Sequence, residues 1–216
     1  MLVRAGNTWL RTASAVLLAG VLTGCSQAAQ ESDAKASVRP SATAGTAGTA
    51  GAAGADDSAV SSGGTIGATG SACELPATFD IAEKWKAQAV EAPLRQGPVT
   101  LACEIDAKPA GNIGFLRVWT GKPGGADART VLEDFVAAED GVSGEKYRTF
   151  RSGALSGVAV EYQYASELLD ETKKESAFAV MTADGPVVVH LGGLDTEEHE
   201  EMLPAYELAR RTLRTV

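Results

Sequence analysis

The sequence predicts an α+β fold: an antiparallel sheet of about 6–7 strands flanked by two helices. Three observations point there. Apolar and polar residues alternate from Val158 to Tyr164, a period of two. Ala128, Val131, Leu132, Phe135 and Ala138 fall at i, i+3, i+4, i+7 and i+10, the stripe of a helix. A second helical stretch closes the chain, so the order runs strands, helix, strands, helix.

The elements are justified in turn. Phe79-Asp80-Ile81 is a short entry strand and Trp85 to Val90 a second. Val99 to Ile105 is a third, carrying Cys103, and Ile113 to Thr120 a fourth, separated by the turn residues Lys108 to Asn112. In the fourth strand Ile113, Phe115, Arg117 and Trp119 share one face, Leu116 and Val118 the other. Apolar residues on both faces predict a sheet covered on both sides. Asp127 caps the first helix and Gly141 ends it. Lys146 to Arg151, Val158 to Ala165, Ser176 to Thr182 and Pro186 to Leu191 are the later strands, with Asp184-Gly185 as a tight turn between the last two. The last helix spans about Thr196 to Arg214, with Asp195 as N-cap and Glu198 at the capping-box position. Pro204 should kink it or divide it in two. Leu203, Tyr206, Ala209 and Leu213 form its stripe, and Glu207 and Arg211 an i,i+4 pair.

Upstream, Arg4 and Arg11 precede an apolar run from Ala13 to Leu22, the length of a signal-peptide core and too short to span a bilayer. Leu22-Thr23-Gly24-Cys25 then reads as a lipobox. Residues 1–24 are accordingly a lipoprotein signal peptide, with Cys25 the acylated residue that carries chains such as palmitate. Each CH2 buried in lipid contributes about 0.8 kcal/mol, so two chains hold where one is reversible. Residues 25–71 form a tether of Ala, Gly, Ser and Thr with the repeat Thr-Ala-Gly at 43–51, a composition that cannot offset its ordering entropy. Such a chain spans roughly 35–40 Å. Residues 72–216 are the globular part, the usual size of one domain, and are expected to be monomeric.

With Cys25 acylated, Cys73 and Cys103 remain. An even remainder in an oxidising compartment reads as a disulfide. The rivals are two free thiols or a metal pair, but the chain has no C-x-x-C spacing and only two histidines.

Phe79 to Trp85, Val131-Leu132-Glu133-Asp134-Phe135, Leu155-Ser156-Gly157-Val158-Ala159 and the terminal helix resemble, together with the lipobox and spacer, actinobacterial surface lipoproteins of the LpqN/LpqT kind. That resemblance implies a PsbP-like α/β/α sandwich and a non-catalytic accessory role, docking on an envelope complex or holding a small or lipidic ligand. It assigns no site residues, because these motifs are structural.

The chemistry of the chain narrows the function classes. Residues 72–216 hold 24 acidic and 15 basic side chains, which argues against nucleic acid and against electrostatic docking on anionic lipid. The membrane is met through the acyl chains, on the extracytoplasmic side. No nucleophile elbow, H-E-x-x-H, P-loop or dinucleotide fingerprint occurs, so no cofactor, metal or catalytic residue is assigned. The acidic run around His199 already has a physical reason at a helix N-terminus. His190 shares a strand face with Val188. Were that strand beside Val158 to Ala165, Glu161, Gln163 and His190 would make a polar binding patch, and the alternative function, an envelope hydrolase, would use His190 and Glu161.

Overall fold

The computed structural model describes residues 60–92, 94–166 and 171–216. The signal peptide and Cys25 lie outside those residues. Among the described residues, eleven strands and two α-helices make an α+β fold, as expected. Strands β3 (Lys86–Ala89), β5 (Val99–Asp106), β6 (Gly114–Thr120), β10 (Gly185–Gly193), β9 (Glu171–Thr182), β8 (Leu155–Ser166) and β7 (Val142–Ser152) lie side by side in that order. The two-residue β4 (Arg95–Gln96) also pairs with β5, making eight strands, all antiparallel. A second sheet joins β1 (Ser62–Ile66), β2 (Ala77–Ala82) and β11 (Arg214–Thr215).

Each face of the large sheet has its own core. Helix α1 (Ala128–Ala137) sets Val131, Leu132 and Phe135 on Leu101, Trp119, Val160 and Val188. Helix α2 (Thr196–Thr212) and the small sheet cover the other face, where Met202, Tyr206, Phe79 and Ile81 meet Leu116, Val118, Phe178 and Leu191. Strand β5 serves both cores. A bulge between Leu101 and Cys103 shifts its register, so Val99 and Leu101 face α1 while Cys103 and Ile105 face the small sheet. Cys103 there bonds Cys73 in the predicted disulfide, with Cα atoms 5.9 Å apart.

Several expected boundaries move. The folded part includes β1, inside the stretch 25–71 assigned to the tether. Gly63 and Gly67 let that strand lie against β2: a Cβ on Gly67 would sit 2.1 Å from the Ala77 carbonyl oxygen. Helix α1 closes at Ala137, with the Glu139 N–H donating to the Val136 carbonyl. Gly141 (φ +83°) serves the entry to β7 instead. Helix α2 runs through Pro204 unbroken, held by buried Met202, Ala205 and Tyr206 around it. Asp195 caps it, its side chain accepting from the Glu198 N–H. The Glu198 carboxylate accepts from the Ile113 N–H rather than closing a capping box. Glu207 pairs with Arg210, not Arg211.

The disulfide ties the loop after β1 to the large sheet across 30 residues. Opening it should cost about 2–4 kcal/mol. Urea unfolding of the full chain with and without reductant, and of Cys103→Ser, is expected to show that loss. Equal midpoints would mean that packing alone holds the small sheet.

Candidate functional site

Helix α1 is short, and beyond its end the sheet face it covers continues as a polar surface. His190 on β10 marks the border, its ring 5.8 Å from that of Phe135. Neighbouring strands deliver its partners. Glu175 on β9 accepts from His190 Nε2 at 2.8 Å, and Tyr162 on β8 puts its hydroxyl 3.2 Å from the same nitrogen. Lys173 lies two residues before Glu175, hence on the same face. Its Nζ is 2.9 Å from Glu175 Oε1 and donates to the Gly193 carbonyl at 2.7 Å.

Charge is balanced tightly. Burial works against ionisation of Glu175, but His190 and Lys173 together outweigh it and hold the carboxyl at about 2. An ionised carboxylate only accepts, so the Nε2 proton belongs to His190 and points at Glu175. The Tyr162 hydroxyl lies 3.1 Å from Glu175 Oε2 and 3.3 Å from Glu139 Oε2. A phenol has one proton, which the two carboxylates share. Burial raises the Glu139 pKa, and the negative Glu175 adds to the rise. Burial, with both carboxylates near, pushes Tyr162 well above its usual range, so it stays a phenol.

This arrangement is not a nucleophile relay. A hydrolytic triad uses both imidazole nitrogens, one toward a carboxylate and one toward the nucleophile. Here Glu175 and Tyr162 meet the same Nε2. Beyond the cluster, Arg117 stands opposite His190 in the β6–β10 register, binds Glu104 at 2.8 Å and lies over Phe115 at 5.0 Å. A groove of about 440 Å3 continues past Glu104, Asp106 and Phe115 to the free edge of β3. Among the described residues no group of three His, Cys, Asp or Glu is placed to hold a metal ion.

The predicted patch of Glu161, Gln163 and His190 is not assembled. Strand β10 borders β6 and β9, so β9 separates it from β8. Glu161 pairs laterally with Ser176, on the α2 side, opposite to His190. Glu175, Lys173 and Glu139 are the partners that sequence reasoning missed. The signal was available: Lys173, Glu175, Ala177 and Ala179 alternate on one face, but the reading started this strand at Ser176.

The second histidine lies on the other face. His199 is fully buried, and its Nε2 lies 3.0 Å from Ser176 Oγ while Nδ1 has no partner among the described residues. Burial lowers its pKa to about 4.

A family model described as "Uncharacterised lipoprotein" matches residues 40–213. The comparison with curated proteins gives no match. Among solved structures, the cyanobacterial PsbP protein CyanoP from Synechocystis sp. PCC 6803, determined in solution, is similar with a TM-score of 0.51. The alignment covers 77% of this chain and 98% of that one at 9% identity. At that identity the likeness shows the fold alone.

Two outcomes test the buried groups. Glu175→Gln strands Lys173 and His190 and should cost about 3 kcal/mol in urea unfolding at pH 7, against about 1 kcal/mol for Tyr162→Phe. Equal losses would mean that the charges carry nothing special. For His199, the unfolded chain takes up a proton between pH 6.5 and 4 that the folded chain refuses. Stability therefore falls as pH drops through that window, by about 3 kcal/mol at its lower end. Urea unfolding at pH 6.5, 5 and 4 should show this extra slope in the wild type and not in His199→Gln.

Proposed function

The chain belongs to the family described as "Uncharacterised lipoprotein", and from that membership we propose that it is a lipid-anchored, extracytoplasmic accessory protein of the cell envelope. The observation that carries the compartment is the Cys73–Cys103 disulfide, a bond that persists where thiols are oxidised. Cys25 is the anchor in this reading: it follows Leu22-Thr23-Gly24 and would carry two or more acyl chains, palmitate among them. The residues between it and β1 hold the fold away from the headgroups, and the domain works as a monomer. The likeness of its sequence motifs to LpqN/LpqT lipoproteins supports an actinobacterial surface protein.

The role is non-catalytic: the protein meets a partner, an envelope protein or a lipid, and converts nothing. The shared Nε2 of His190 supports this, because Glu175 and Tyr162 use it up between them. The rival hydrolase would need His190 beside Glu161, and the two lie on opposite faces of the sheet.

The test is fractionation of cells expressing the full chain or Cys25→Ser. The wild type should enter the membrane pellet and incorporate labelled palmitate, whereas Cys25→Ser should lose both properties. Retention of the unlabelled variant in the pellet would overturn the anchor.

A further inference from the structure

The large sheet ends in two strands that pair on one side only, β3 and β7. They are guarded differently. Strand β7 carries Glu145, Lys146, Arg148 and Arg151 along its length, charges that discourage a further strand. Strand β3 reads Lys86-Ala87-Gln88-Ala89, with its single charge at the start.

The ladder fixes what β3 offers. The Val90 N–H donates to the Ala102 carbonyl at 3.1 Å, one step beyond the pairing of Ala89 with Cys103. Hydrogen-bonded pairs alternate in an antiparallel ladder, so Lys86, Gln88 and Val90 direct their N–H and C=O groups to β5. Those of Ala87 and Ala89 point outward, and no strand meets them among the described residues.

The side chains divide by face. Ala87 packs on the core beneath the small sheet. Lys86 and Gln88 therefore stand on the other face, where the groove of about 440 Å3 runs beside the edge. Glu91, Glu104 and Asp106 line that groove against one cation, Lys86. Arg117 answers Glu104, whereas Glu91 and Asp106 have no ion-pair partner among the described residues. Phe115 adds an apolar surface on which the methylene stem of a long basic side chain can lie.

Resting on the accessory role, we propose that β3 receives a strand from an envelope protein: an extended segment whose backbone bonds Ala87 and Ala89 and whose alternate residues are lysine or arginine. Strand addition takes its affinity from the main chain and its selectivity from alternate side chains. Every second side chain enters the groove, where the carboxylates favour a cation. Those between lie beside the small Ala87 and Ala89, which suits β-branched residues.

The probe is the capped pentapeptide Val-Lys-Val-Lys-Val, titrated into the full chain at pH 7 and low salt. Hydrogen exchange of the Ala87 and Ala89 amides is followed by NMR, and saturation should slow both about tenfold or more. Ala89→Pro deletes an outward N–H that β5 does not use, a change an edge strand tolerates, and should abolish binding. Asp106→Asn should weaken binding about threefold, the share of one exposed ion pair. The peptide Val-Glu-Val-Glu-Val should not bind. Amides that exchange as fast with the lysine peptide as without it would overturn the assignment. So would a folded Ala89→Pro or an Asp106→Asn variant that binds as tightly as the wild type, or a glutamate peptide that matches the lysine peptide. A wild-type dimer that Ala89→Pro dissociates would give the edge to a second copy and overturn it too. Fractionation of Cys25→Ser reads the anchor separately from all of these results.

Discussion

Glu175 and Ser176 are consecutive residues of β9, and the pleat sends their side chains into opposite layers. On the α1 side Glu175 gathers His190 and Tyr162 from the strands to left and right, with Lys173 from its own strand. On the α2 side Ser176 meets the buried ring of His199. Both sets are buried, so each needs its partners in place. A slip of β9 by one residue would turn Glu175 into the α2 layer and Ser176 into the α1 layer, unpairing both at once. The register of the central strands is thereby held by polar groups on both faces, beyond what the surrounding Ala177, Phe178, Ala179 and Val180 impose.

The α2 layer depends on closure between distant parts of the chain. The Asp80 N–H donates to the Thr212 hydroxyl, β11 pairs with β2, and Ser152 donates to the carbonyls of Arg211 and Leu213 at the end of α2. The disulfide adds a covalent link from the loop before β2 to β5. Ile105, Leu116 and Val118 stay dry because these pieces meet over them. The bulge at Leu101/Cys103 is what lets one strand feed both cores and present Cys103 to Cys73.

The two polar systems are thus separated by the sheet itself. The His190 cluster borders an open platform with Arg117, Phe115 and Glu104. The Ser176–His199 contact sits under α2. Glu161, assigned from sequence to the company of His190, belongs with the second. The difference is one of strand order, since adjacency of β8 and β10 is prevented by β9.

Much of the fold was legible locally. The stripe from Ala128 to Phe135, the alternation from Val158 to Tyr164 and the Asp127 and Asp195 caps are short-range patterns, and each describes the element that forms. The cysteine pair was legible by counting. Strand β1 was hidden because Ser62-Gly63-Gly64-Thr65 has the composition of a linker and becomes a strand through its pairing with β2. The start of β9 was hidden because Glu171 to Glu175 reads as solvated, although the face carrying Lys173 and Glu175 is covered. Periodicity along the chain thus specifies which residues share a face of one element. Which elements stand side by side, and so whether Glu175 or Glu161 reaches His190, follows from long-range pairing and a single bulge, and no local pattern encodes either.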